Sequence, residues 1–180
     1  MKRKEFIKRA GAFTALLATV PSMAFSQAKK VSGHINAKIV RKKDGKLVNV
    51  IGDNQTFKLT GKDTNGMFTL IESVNDPGMQ IPMHVHENED EVFKVLEGQM
   101  EITVGDKKTI LKAGDLAFAP RNIPHSWRIV GETKAKVVLS VFPAGLEVMF
   151  EELSELPAGP PDFDKVVAIS KKYGISFVPV

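Results

Sequence analysis

The chain has 180 residues, 43% of them apolar, 26% charged and none cysteine; one globular domain with a tail fits, while disordered, collagen-like and disulfide-stapled classes are excluded. The net charge of +4 does not mark a nucleic-acid binder. Five basic residues (Lys2, Arg3, Lys4, Lys8, Arg9) and one acidic residue (Glu5) fall in the first 28, which leaves 20 of each sign in the remainder, and a neutral body has little attraction for phosphate backbones.

Residues 1–28 have the three-part form of a secretory signal: a basic start, a small apolar stretch at 10–20, and Ala24, Ser26 and Ala28 at cleavage distance. Cleavage after Ser26 and cleavage after Ala28 fit equally well. The run Arg3-Lys4-Glu5-Phe6-Ile7-Lys8 resembles the twin-arginine export signal with Lys4 in place of the second arginine, so that route and the general secretory route both stay open. The expected location is the periplasm or the exterior of a bacterium. The apolar stretch is too short to span a bilayer, and no membrane attachment is expected after cleavage. Residues 29–37 read as a polar linker. His34 lies in it, has no partner at metal spacing and is expected to be inert.

From residue 38 the chain reads as many short strands punctuated by Gly, Asp, Asn and Pro. Strands are expected at 38–40 and 47–50 around Asp44-Gly45, and at 55–59 and 67–74 on either side of a loop at 60–66. The turn Asn75-Asp76-Pro77-Gly78 follows. Further strands are expected at 91–96 and 99–104, joined at Glu97-Gly98, then at 107–111, 116–119, 125–130 and 135–142. Strands without intervening helices indicate an all-β sandwich or barrel over 38–144 rather than a parallel α/β sheet. The end differs. Residues 145–153 form a helix with Leu146, Met149, Phe150 and Leu153 on one face, 156–161 break it, and 162–173 form a second helix with Lys171 and Lys172 in its last turn. Residues 145–180 are thus a short helical tail whose end returns as an extended segment. Met149 and Phe150 are expected to pack against the β body or at a dimer contact.

Three of the four histidines stand where a metal site needs them. In a strand, side chains at i and i+2 share a face, so His84-Val85-His86 presents two imidazoles side by side. Glu91 opens the next strand after the acidic run 87–90, and His125 begins a later one. Three neutral imidazoles and one carboxylate suit one divalent first-row transition metal: iron, manganese, nickel, copper or zinc. Parity puts Phe93 on the face of Glu91, Trp127 on that of His125, and Met100 inward on the hairpin partner. These three are the candidate substrate-pocket residues of an apolar, aromatic small-molecule site. Glu87, Glu89 and Asp90 read as a solvated acidic rim, and Arg121 and Arg128 as surface residues.

Gly78-(five residues)-His84-Val85-His86-(four residues)-Glu91-(six residues)-Gly98 resembles the first cupin motif at every fixed position. Gly114-(five residues)-Pro120-Arg121-Asn122-Ile123-Pro124-His125 resembles the second, with Asn122 where glycine is usual and Ile129 where asparagine is usual. Neither departure touches a ligand position, and Asn tolerates left-handed backbone better than most residues. The resemblance implies a small antiparallel jelly-roll (cupin) barrel in which His84, His86, Glu91 and His125 meet a metal. The acidic stretch before Glu91, the phrase 118–125 and the segment 142–147 are similar to single-domain, quercetin-dioxygenase-like cupins. That likeness implies an oxygenase acting on a small enol or aromatic hydroxyl compound, with Glu91 as ligand and as acceptor of the substrate proton. A non-catalytic binding cupin and a non-oxidative isomerase or decarboxylase stay open. The expected partner is a small-molecule substrate, and spare strand edges leave room for a homodimer.

Overall fold

Most of the expected strand patterns between residues 47 and 142 become strands in a computed structural model of the protein, which describes residues 35–157 and 160–178. The export signal read over 1–28 and His34 lie outside the described residues. The elements run β1 (Lys46–Val50), β2 (Asp53–Leu59), α1 (Gly61–Thr64), β3 (Thr69–Asn75), β4 (Gln80–His86), β5 (Asp90–Glu97), β6 (Gln99–Val104), β7 (Lys107–Lys112), β8 (Leu116–Ala119), β9 (His125–Val130), β10 (Ala135–Phe142), α2 (Leu146–Ser154), α3 (Phe163–Lys172) and β11 (Ile175–Phe177).

The strands form two antiparallel sheets in the orders β1-β2-β3-β10-β5-β8 and β11-β4-β9-β6-β7. Period-two alternation buries one face of each. Ile71 of β3, Val137 and Val141 of β10, Phe93 and Val95 of β5 point into the core from the first sheet, and Met100, Ile102 and Ile129 meet them from the second. Full burial of each such side chain contributes about 1.5–3 kcal/mol relative to exposure.

The closed barrel expected from the resemblance is instead an open two-sheet jelly-roll sandwich, because no ladder joins the two sheets among the described residues. On one side the tail supplies the closure. Strand β11 pairs with the edge of β4, while α2 packs on β1 and α3 packs on β11. Leu146, Met149, Leu153, Val166 and Ile169 are the buried face of these helices.

Two local expectations are corrected. Residues 38–40 form no strand; side-chain bonds fasten the segment, with Lys38 paired to Asp63 at 2.7 Å and Lys58 Nζ donating to the carbonyls of Arg41, Lys42 and Asp44. The expected loop at 60–66 contains α1, whose Asp63 carboxylate accepts from the Thr60 backbone N–H at 3.0 Å and which ends at Asn65 in left-handed geometry.

Candidate metal centre

The second sheet supplies the three imidazoles and the first supplies the carboxylate. His84 and His86 share one face of β4, His84 pairs across the ladder with His125 of β9, and Glu91 stands at the start of β5. All four are buried. One ligand atom from each lies within 4.8 Å of the other three.

The hydrogen bonds on the far sides of the rings decide what these atoms can do. His84 Nδ1 lies 2.8 Å from the Pro82 carbonyl and His125 Nδ1 lies 3.3 Å from the Ile123 carbonyl. A carbonyl oxygen only accepts, so each Nδ1 carries the proton. His86 Nδ1 faces a carboxylate oxygen of Glu89 at 3.4 Å. Neutral His84 and His125 therefore turn an Nε2 lone pair inward. His125 Nε2 is 2.9 Å and His86 Nε2 3.8 Å from Glu91 Oε2. A cation among them would satisfy these inward atoms in a buried site, and the donor set fits a first-row divalent metal.

The electrostatics differ from ring to ring. Burial, followed by the neighbouring His125, pushes His84 down to about 3, so it is neutral and able to ligate. At Glu91 burial works upward, but the His125 ring beside it and the adjacent His86 and His84 imidazoles outweigh it and hold the carboxyl below its usual value. Burial works downward on His86, and the Glu89 and Glu91 carboxylates more than offset it.

The acidic run does not behave as a solvated rim throughout. Glu89 is only 8% exposed and sits behind His86. Asp90 accepts from the Arg121 backbone N–H at 2.9 Å and from its guanidinium at 2.8 and 3.1 Å, which holds its carboxyl down at about 2. Arg121 is a surface residue, as expected, but it fastens the strand that carries Glu91. Asn122 adopts φ +63°, the left-handed geometry for which glycine is usual, and its N–H donates to the His86 carbonyl at 2.8 Å.

A cavity of about 260 Å3 opens from His84, His86 and Glu91 into the sandwich. Phe93, Met100 and Trp127 all line it, as do Met149 and Phe150 of α2 and Phe163 and Phe177 of the tail. The Phe177 ring lies 6.0 Å from that of His84 and 5.2 Å from that of Phe163. Strict parity along β4 fails at one place. A bulge between Ile81 and His84 lets Ile81 and Pro82 both line the cavity. The polar cavity residues Asp53 and Gln55 of β2 escape the sequence reading. Their signal was present, since they share the inward parity of Phe57 on β2.

The family model for the cupin domain matches residues 73–142. Among curated proteins, quercetin 2,3-dioxygenase of Bacillus subtilis is 32% identical over 74 residues, 41% of this chain and 22% of that protein. The match thus spans about a fifth of that relative's length. Among solved structures, KdgF from Halomonas sp. superposes with a TM-score of 0.56 at 18% identity, covering 63% of this chain and 99% of that one. The polyketide cyclase RemF from Streptomyces resistomycificus does so at 0.51 and 26%, covering 61% and 81%. The matched segment contains all four candidate ligands, the two-sheet fold is shared, and residues 73–142 of the chain carry a cupin domain.

Proposed function

We propose that the chain is an exported, metal-dependent cupin oxygenase acting on a small enol or aromatic hydroxyl substrate. The observation that carries this reading is the placement of three buried imidazoles and the Glu91 carboxylate at one end of a largely apolar cavity. The likeness of its central segment to a quercetin 2,3-dioxygenase supports it. A divalent metal held by His84, His86, Glu91 and His125 supplies Lewis-acid polarisation of a hydroxyl oxygen and the redox capacity that dioxygen chemistry needs. The remaining work belongs to the chain. Glu91, kept as carboxylate, accepts the substrate hydroxyl proton at Oε2. Phe93 and Trp127 form the wall against which a flat ring is held, and the tail's Phe163 and Phe177 keep bulk water from the cavity. At about 260 Å3 the space is below the usual ~300–1,000 Å3 of ligand sites, which favours a one- or two-ring substrate.

The likeness to a polyketide cyclase favours one second reading, a non-oxidative metal-dependent reaction at the same site. Oxygen uptake by metal-loaded protein with small catechols and enols separates the two. Uptake that stops in Glu91→Gln supports the oxygenase. Turnover undiminished without oxygen supports the second reading, and metal-loaded protein that consumes no oxygen with any of them overturns the first.

A further inference from the structure

The cavity has a second polar end. In the first sheet Glu91 lies in the row of Val141 and Thr69, whereas Gln55 lies in the row of Ser73, Val137 and Val95. Thr69 and Ser73 are four residues apart on one strand, so at about 3.3 Å per residue the rows are roughly 13 Å apart along it. Asp53, Gln55 and Ser73 line the cavity there, among apolar residues such as Val50, Ile71, Met79 and Ile129.

The orientation of the Gln55 amide follows from a chain of bonds that starts at a backbone donor. The Asn54 N–H donates to Asn75 Oδ1 at 2.9 Å. That turns Asn75 Nδ2 toward Asp53 Oδ1, at 2.6 Å. The second carboxylate oxygen of Asp53 accepts from Gln55 Nε2 at 2.8 Å. Gln55 is 3% exposed, and its Oε1 is buried with no hydrogen-bond partner among the described residues. A buried carbonyl oxygen without a donor costs about 1–3 kcal/mol, and the apolar lining offers a single water few of the several partners it requires.

We propose that Gln55 is the specificity-determining residue of this cavity: its Oε1, held open by the Asn54–Asn75–Asp53 chain, selects a compact, mostly apolar ligand that carries a hydrogen-bond donor, a hydroxyl or an N–H, at the end remote from the metal ligands. The inference deepens the reading of this cavity as a substrate site and rests on it. It specifies a substrate with two polar ends, one for the metal and one for Gln55.

Two ligands of equal shape test it. Benzylacetone and the secondary alcohol made by reducing it differ in whether the far oxygen can donate. The catechol analogues of both add a metal-binding head. Binding to the metal-loaded chain is read by quenching of Trp127, the single tryptophan, which lines the cavity. The alcohol is expected to bind about tenfold more tightly than the ketone in each pair, the worth of one buried hydrogen bond against an unpaired acceptor. Gln55→Leu and the near-isosteric Gln55→Met should equalise the members. Asp53→Asn should tighten the ketone, because the amide introduced there would donate to Gln55 Oε1 and turn the glutamine so that Nε2 faces the cavity. Equal affinities in the wild type, a preference that survives both Gln55 variants, or no binding of any of the four overturns the proposal. Oxygen uptake with the catechols reads the other conclusion separately. An alcohol preference without uptake leaves this inference standing and removes the oxygenase, and uptake without a preference does the reverse.

Discussion

Two buried carboxylates of this protein live in opposite surroundings. Glu147, in the first turn of α2, faces donors. The Gly61 N–H reaches it at 2.7 Å, the Gly145 N–H at 2.9 Å, and the Thr69 hydroxyl completes the set. Burial raises its pKa, yet these bonds outweigh it and hold the carboxyl below the usual value. Glu91 faces three imidazoles, two of which turn Nδ1 to a backbone carbonyl on the outer side and the third toward the Glu89 carboxylate. Protein donors alone satisfy the first carboxylate, which ties α1, β3 and α2 together. The second comes from one sheet and its imidazoles from the other, so a cation held by the four groups would join the sheets. Burial of an acid does not by itself mark a functional site; the direction of the lone pairs around it does.

Removing two imidazoles breaks this contrast most completely. His84→Ala/His86→Ala is expected to take bound metal from one ion per chain to below about a tenth, read by elemental analysis after treatment with a chelating resin. The wild-type Tm should rise when metal is restored. Metal at a hundred times its Kd stabilises by about 2.7 kcal/mol, which is several degrees for a domain of this size. The double variant should not respond. A stoichiometric ion retained by that variant would erase the distinction between the two carboxylates.

The next largest effect tests the outer side of one ring. Glu89 faces His86 Nδ1 at 3.4 Å, where its negative charge favours the tautomer that turns Nε2 inward. Glu89→Gln is expected to weaken zinc binding about 10–100-fold, measured by competition with a chromogenic chelator, while the Tm of the metal-free protein stays unchanged. A change in affinity below about threefold, or an equal loss of stability without metal, would make Glu89 a packing residue.

What the sequence revealed of this arrangement follows from which rules are local. The His84/His86 pair and Glu91 were legible because strand parity and fixed spacing operate within a few residues, and His125 because a turn ending in Pro124 precedes it. Strand positions from 47 to 142 were legible from Gly, Asp and Pro punctuation. Parity failed at Ile81, where a bulge interrupts the count. A four-residue helix, α1, is too short to show a period, although its capping pair Thr60 and Asp63 was visible. Residues 38–40 have strand-like composition, but the bonds of Lys38 and Lys58 are long-range choices that no window contains. The same holds for the open sandwich, whose closure depends on where the tail docks. Glu89 looked solvated because nothing in the run 87–90 says which carboxylate turns inward behind His86. Gln55 is the instructive omission, since a polar residue on the core face of β2 was a signal that required no structure to see.

The smallest expected effect lies at Glu147 and sharpens the contrast from the other side. Its pKa lies below the ordinary 4.5 in the folded protein, so its contribution is fully present above about pH 4.5 and is lost as the pH falls through the lower folded value. Glu147→Gln keeps the shape and removes the charge. It should cost about 1–2 kcal/mol in urea unfolding at pH 7, and the gap from wild type should narrow below pH 4.5 as the native carboxylate protonates. Both proteins are compared in the presence of chelator, so that loss of metal in acid does not enter the difference. Restoring metal at pH 7 should then raise the Tm of both by the same amount, because the donors around Glu147 act without an ion. A gap that stays constant through the acid range would mean that shape rather than charge holds Glu147, and a smaller metal response in the variant would mean that the two carboxylates are coupled through α2.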